Sequence, residues 1–300
     1  MKFASVTLAS AMAVAGTTAY AADLASMKAP PAAPTPAPFF LFEDTTVGYH
    51  FSPTASEPGV GNNIKKNVFT ITHVDAWSMG TNFVNIDVLK SDSKDPAAGG
   101  GEGALEVYGI YRGTLSGNAL TKSKSFSFGI IKDVSLAYGG DFNTKNTSFA
   151  SEKRLIVGGA QIAFDVPGFF TVSALAGKEW GHCGICNFPG GNVDPEFKTN
   201  VHFEAAYLQP LAFTGLPLSF SGFADVITPK GKDGFGAQTK TEILTRNQLN
   251  YDLSSMFGRK NFLNAWVGYQ YWKNKFGNDY KTNVGAVERS ILIGLDWHVL

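Results

Sequence analysis

The sequence predicts an all-β fold, a transmembrane antiparallel β-barrel of about twelve strands with short periplasmic turns and long extracellular loops. Three observations predict it: an export signal at the N-terminus, apolar residues that alternate with a period of two, and connections that are alternately long and short. Charged residues make up 17% of the 300 residues, below the roughly 25% of soluble domains. The formal net charge is zero, so no basic field attracts nucleic acid.

The N-terminus has the pattern of a cleaved secretory signal peptide, which we assign to residues 1–22. A basic start at Met1-Lys2 precedes an apolar run over 3–16, and Ala19-Tyr20-Ala21 supplies a small-residue cleavage site. The apolar run is shorter than the roughly 20 residues that a membrane helix needs. Residues 23–38 are rich in Ala and Pro and are expected to form an extended periplasmic tether. The barrel is therefore expected over residues 39–300, in the bacterial outer membrane.

Beyond the tether, apolar and polar residues alternate along the chain. Val84, Ile86 and Val88, for example, alternate with Asn85 and Asp87. We count twelve such candidate strands, many of them about ten residues long, the length at which a tilted strand crosses a bilayer. The last strand, 288–300, alternates cleanly but lacks a terminal aromatic residue.

The connections divide into two classes, as they do in outer-membrane barrels. The tight ones lie at 77–80 and 167–168, and the link over 113–127 is long where a short one is expected. The long links run over 52–66, 90–103, 180–197 and 274–287.

Several segments resemble the nucleoside-specific channel-forming outer-membrane proteins (Tsx type). Phe126–Asp133 looks like the segment that precedes the fifth strand of that family, and Tyr269–Asp279 looks like its penultimate strand and following loop. Shorter matches lie at Val47–His50 and His73–Trp77. The resemblance implies a monomeric twelve-stranded barrel with a narrow lumen that passes nucleosides by facilitated diffusion.

A lumen that selects nucleosides needs aromatic rings for the base, together with amides, carboxylates and guanidinium groups for the sugar and base edges. Charges that merely pair across a hydrated lumen would give the same pattern. Large aromatic residues on a polar face, such as Phe223 and Trp266, are the more diagnostic members. The candidate lumen residues are His50, Glu106, Tyr108, Arg112, His202, Glu204, Phe223, Asp225, Arg246, Trp266 and Gln270. A second set is expected to face lipid as aromatic girdles: Tyr49, Tyr111, Tyr138, Tyr207, Tyr269, Tyr271 and Trp297.

The only two cysteines, Cys183 and Cys186, lie in a long loop beside His182. In an oxidising compartment a local disulfide is the favoured interpretation, and a metal site with His182 is the alternative. We expect no metal and no cofactor.

The sequence has no G-x-S-x-G, H-E-x-x-H or phosphate-loop motif, so we expect no enzyme. The expected function is an outer-membrane channel for passive diffusion of small polar solutes, most specifically nucleosides. Its expected partners are outer-membrane lipid and the barrel-assembly machinery, with no nucleic acid. Two alternatives stay open: a structural or adhesive barrel plugged by its own loops, and a barrel enzyme of the outer-membrane phospholipase type, for which His73 and Ser78 are poorly spaced.

Overall fold

The computed structural model describes residues 39–61, 63–259 and 262–299. The predicted signal peptide and tether lie outside the described residues. In the described part no helix is long and apolar enough to cross a membrane.

The described residues form twelve antiparallel strands in which each strand pairs with its neighbours in sequence, and the first pairs with the last to close the barrel. The predicted all-β barrel of about twelve strands is therefore confirmed. The strands are β1 (Phe40–Ala55), β2 (Ile64–Trp77), β3 (Gly80–Ser91), β4 (Leu105–Ser116), β5 (Ile131–Lys145), β6 (Glu152–Phe164), β7 (Phe169–His182), β8 (Asn200–Pro210), β9 (Leu218–Ile227), β10 (Glu242–Asp252), β11 (Leu263–Lys273) and β12 (Val287–His298).

Period-two alternation separates the two faces of the barrel wall, because successive side chains of a strand point to opposite faces. On β12, Ile291 and Ile293 are 55% and 60% exposed on the outer face, whereas Ser290 and Leu292 are 0% and 1% exposed on the inner face. Aromatic side chains such as Tyr49, Tyr269 and Trp297 also lie exposed on the outer face. The outer wall is thus an apolar surface that carries aromatic residues.

The two ends of the barrel differ in their connections. What we call the long-loop end carries the segments 56–63, 92–104, 146–151, 183–199, 228–241 and 274–286, and the short-turn end carries 78–79, 117–130, 165–168, 211–217 and 253–262.

The link expected over 113–127 is placed differently in the structure. Strand β4 continues to Ser116, and a short helix, α1 (Gly117–Thr121), follows it. The Ser116 hydroxyl caps this helix by accepting the Ala119 N–H at 3.1 Å, as Ser does at many helix starts. The part of this link beyond β4 therefore contains ordered structure at the short-turn end.

Cys183 and Cys186 form a disulfide with a Cα–Cα distance of 5.4 Å. The His182 imidazole contacts the Asp194 carboxylate at 2.7 Å, and the described residues contain no group of three or more His, Cys, Asp or Glu arranged to hold a metal. The Cys183–Cys186 disulfide closes a small ring inside the loop that follows β7.

Candidate functional site

The eleven candidate lumen residues all lie at inward positions of the barrel wall. Their alternation with exposed apolar neighbours places them there, and the strand register brings several of them side by side, such as Glu204 beside Asp225 and Arg246 beside Phe223. The inward face forms the candidate site, and its contacts fall into three groups.

The first group is an ion pair that crosses the lumen. The Arg112 guanidinium on β4 donates to the Glu204 carboxylate on β8 from Nε to Oε2 at 2.9 Å and from Nη2 to Oε1 at 2.7 Å. Strands β4 and β8 are four positions apart in the barrel order, so this bidentate contact spans the interior. Such two-point pairs are stronger and more directional than single contacts.

The Asp141 carboxylate on β5 extends this pair into a network. It accepts hydrogen bonds from Arg112 Nη1 at 2.7 Å, from the Tyr108 hydroxyl at 2.7 Å and from Lys153 Nζ at 2.9 Å. We call Tyr108, Arg112, Asp141, Lys153 and Glu204 the central cluster. Sequence reasoning missed Asp141 and Lys153, although both share the inward parity of their strands.

The second group is an aromatic wall formed by β1, β9, β10, β11 and β12. The rings of His50 and Trp266 lie 5.4 Å apart, and the Trp266 indole covers Gly294, where a Cβ would come within 2.4 Å of it. In the described part of the chain, the Trp266 Nε1 is buried without a hydrogen-bond partner. A buried, unpaired donor is costly, and a solute would reach this N–H only after the Trp266 ring moves.

Arg246 connects the aromatic wall to the mouth of the barrel. Its guanidinium lies 5.7 Å from the centre of the Phe223 ring, and its Nε donates to Gln270 Oε1 at 2.9 Å. Gln270 in turn donates to Glu288 at 2.6 Å. The planar Arg246 guanidinium and the Phe223 ring therefore face the same part of the lumen.

The third group closes the long-loop end, and we call it the mouth cluster: Glu57, Lys66, Asp95, Lys145, Lys275 and Glu288. Lys275, from the loop after β11, contacts Glu288 at 2.8 Å and Glu57 at 3.4 Å. Lys66 contacts Glu57, and Lys145 contacts Asp95 at 2.7 Å. These contacts fasten three loops to the barrel wall.

Glu57 lies in the loop after β1, and three lysines, Lys66, Lys145 and Lys275, contact its carboxylate. Burial by itself raises the pKa of the Glu57 carboxyl, but Lys275, Lys66 and Lys145 outweigh burial and hold the pKa well below its usual range. A depressed native pKa contributes stability above the unfolded value of about 4.3, and that contribution is lost as the pH falls through the native value.

We therefore expect the mouth cluster to keep its full stability between pH 5 and 7 and to weaken only in stronger acid. Urea unfolding at pH 7 and at a pH near 3 measures this directly. Glu57→Gln should lower stability at pH 7 and reduce the loss on acidification. An equal pH dependence of the variant and the parent protein would contradict the assignment to Glu57.

Inward carboxylates without a cationic partner within 4.0 Å in the described residues include Asp87, Asp225, Glu242 and Asp296. Glu242 accepts the Trp272 indole N–H at 2.6 Å. Asp225, Glu242 and Asp296 lie on β9, β10 and β12, whereas Asp87 lies on β3, among the strands that carry Lys66, Arg112, Lys145 and Lys153. Carboxylates without a cationic partner therefore lie both on β3 and on β9 to β12 of the inner face.

Inward side chains fill part of the interior. Ala137, Leu155, Val157 and Leu175 form a buried apolar group on the inner faces of β5, β6 and β7. Of the remaining candidates, Glu106 accepts the Asn143 amide at 2.5 Å near the mouth, and His202 lies 3.3 Å from the Asn200 amide oxygen. A solute that crosses this lumen must be small or must displace side chains.

No family model and no curated protein sequence matches the chain. The chain is similar to the solved structure of the NanC porin, with 9% sequence identity, coverage of 86% of this chain and 100% of that chain, and a TM-score of 0.44. It is also similar to the KdgM porin in complex with disordered oligogalacturonate, with 8% identity, coverage of 85% of this chain and 99% of that chain, and a TM-score of 0.42. A third similar structure is the translocator domain of the autotransporter NalP from Neisseria meningitidis, with 13% identity, coverage of 85% of this chain and 88% of that chain, and a TM-score of 0.41.

Proposed function

We propose that the chain is a bacterial outer-membrane channel for passive diffusion of small polar solutes. The observation that carries the proposal is a closed twelve-stranded barrel whose outer face is apolar and whose inner face is lined with charges. Lipid does not tolerate unpaired strand edges, and a closed barrel has none. Polar lumens inside apolar walls are typical of porins.

The charges of the lumen favour solutes that donate hydrogen bonds or carry positive charge. Asp225, Glu242 and Asp296 lack a cationic partner in the described part of the chain, whereas Lys145 and Lys153 are both paired with carboxylates. Rings of carboxylates select cations in channels. We therefore expect acidic solutes to pass poorly.

Nucleosides are the specific solutes that we propose, following the resemblance to the Tsx-type family. The His50 and Trp266 rings and the Arg246–Phe223 pair offer stacking surfaces on one wall. Base stacking on aromatic rings is worth about 1–3 kcal/mol in protein grooves. Sites of that strength suit a channel, because the solute must also leave. We further propose that the barrel acts as a monomer and is inserted by the barrel-assembly machinery.

The test is single-channel conductance of the refolded protein in a planar bilayer, with adenosine titrated against a neutral sugar of similar size. We expect a small conductance that adenosine blocks and the sugar does not, and Trp266→Ala should weaken the block. Conductance that is insensitive to adenosine would remove the nucleoside proposal and leave a general channel.

A barrel plugged by its own side chains is the second candidate, and the packing of the interior favours it. Leu175 and Leu292 face inward yet are 1% exposed, so water reaches little of the wall there. A properly folded protein that never conducts would support this structural role over the channel.

A further inference from the structure

The outer face of the described barrel carries a polar group on its first four strands that its alternation does not explain. It lies on β1 to β4 near the short-turn end, and we call it the outer-face cluster: Glu43, Thr45, His73, Asp75, Asn82 and Tyr111. These residues have the same parity as exposed apolar residues such as Val47 and Ile71. In the proposed membrane orientation they therefore face lipid.

The cluster is held by side-chain contacts across the strands. The Asn82 amide donates to Asp75 Oδ1 at 2.9 Å, and the Tyr111 hydroxyl donates to Asn82 Oδ1 at 2.8 Å. The Thr45 hydroxyl and His73 Nδ1 are 2.8 Å apart. His73 Nε2 lies 3.6 Å from Asp75 Oδ2.

The charge balance of this cluster is incomplete. Asp75 is 5% exposed and lies directly opposite Glu43 in the strand register. Like charges in that position repel, and in the described residues neither carboxylate has a Lys or Arg within 4.0 Å. An ionisable group on a lipid-facing surface is costly and calls for a partner.

The position of the cluster indicates what that partner is. Asp75 lies three residues before the turn at 78–79, so it is at most about 10 Å from the end of the barrel wall. Trp77 at that turn stacks on Phe39 at 5.8 Å, and such aromatic pairs mark the headgroup level of a membrane. The cluster therefore lies where the headgroups of one leaflet meet the protein.

We propose that the outer-face cluster binds the primary ammonium headgroup of an ethanolamine phospholipid. The ammonium offers three N–H donors and a positive charge. The exposed Glu43 carboxylate offers the direct acceptor, and the buried Asp75 carboxylate opposite it adds negative charge. In the proposed orientation the short-turn end is periplasmic, so the lipid belongs to the inner leaflet. This inference rests on the membrane placement in the proposed function.

The same residues are not arranged for hydrolysis. Thr45, His73 and Asp75 are ordered like a nucleophile, a base and an orienting carboxylate. However, an acyl transfer also needs donors for the oxyanion, and the described backbone of β1 and β2 around Thr45 and His73 is in continuous register. Lipid binding without chemistry therefore fits the cluster better.

The test is native mass spectrometry of the mature protein in detergent with three lipids that have identical acyl chains: phosphatidylethanolamine, phosphatidylcholine and phosphatidylglycerol. We expect several-fold more retained ethanolamine lipid than choline lipid, since trimethylation removes every N–H donor. The double variant Glu43→Gln, Asp75→Asn should reduce ethanolamine lipid to the choline level.

Glu152→Gln is the matched control, because Glu152 is an exposed carboxylate on a strand at the opposite end of the barrel; it should retain the preference. Equal retention of all three lipids, preference for the glycerol lipid, or a preference that survives the double variant would overturn the proposal. Heat-modifiable gel mobility reports folding of each variant. Planar-bilayer conductance reports the channel separately, and the double variant should conduct like the parent.

Discussion

Replacing Arg112 with alanine is expected to raise the single-channel conductance several-fold. The guanidinium spans the interior from β4 to Glu204 on β8 and also contacts Asp141, so its removal clears the path and releases Glu204. The freed carboxylate lies beside Asp225 in the strand register. Local negative charge then rises, and cation selectivity should increase together with conductance.

Arg246→Ala provides the matched control for this prediction. This variant also removes one positive charge from the lumen. However, the Arg246 guanidinium contacts Gln270 on the adjacent strand and does not span the interior. Glu204→Ala breaks the same cross-lumen pair from the other side, so it should also raise conductance while it lowers cation selectivity. If Arg112→Ala and Arg246→Ala change conductance equally, the cross-lumen pair is not the constriction.

The barrel wall could be predicted from sequence because lipid and lumen impose opposite demands on successive residues. Apolar and polar residues therefore alternate along the strands with a period of two. On β12, for example, the outward Ile291 is exposed and the inward Ser290 is buried. The same rule singled out Trp266 as a large aromatic on a polar face. The structure gives that residue an unpaired N–H, while its role in binding a solute stays a prediction.

Contacts that depend on closure of the barrel could not be predicted in this way. Arg112 and Glu204 are 92 residues apart, and nothing in either strand specifies that they meet across the lumen. Glu57 and Lys275 lie in loops, where no periodic pattern marks an inward side chain. Asp75 shares the parity of the exposed outward residues, so alternation alone would predict an apolar residue there.

Lys275→Met is expected to destabilise the protein by about 3–5 kcal/mol, the usual cost of leaving a buried charge without its partner. Lys275 is 3% exposed and Glu288 is 2% exposed, and their side chains are 2.8 Å apart. Lys275 also donates to the Ser56 carbonyl at 2.7 Å. The methionine fills similar space but leaves both Glu57 and Glu288 without this cation, so the loop after β11 should detach from the mouth.

Urea unfolding in lipid vesicles at pH 7 measures this loss, with Lys240→Met as the control. Lys240 pairs with Asp279 at 3.6 Å in a solvent-exposed setting, where removal of the pair costs about 0–1 kcal/mol. Adding Glu288→Gln to Lys275→Met should recover part of the loss, because the uncompensated carboxylate is then gone. A Lys275 variant as stable as the Lys240 variant would show that the mouth cluster does not hold the loops in place.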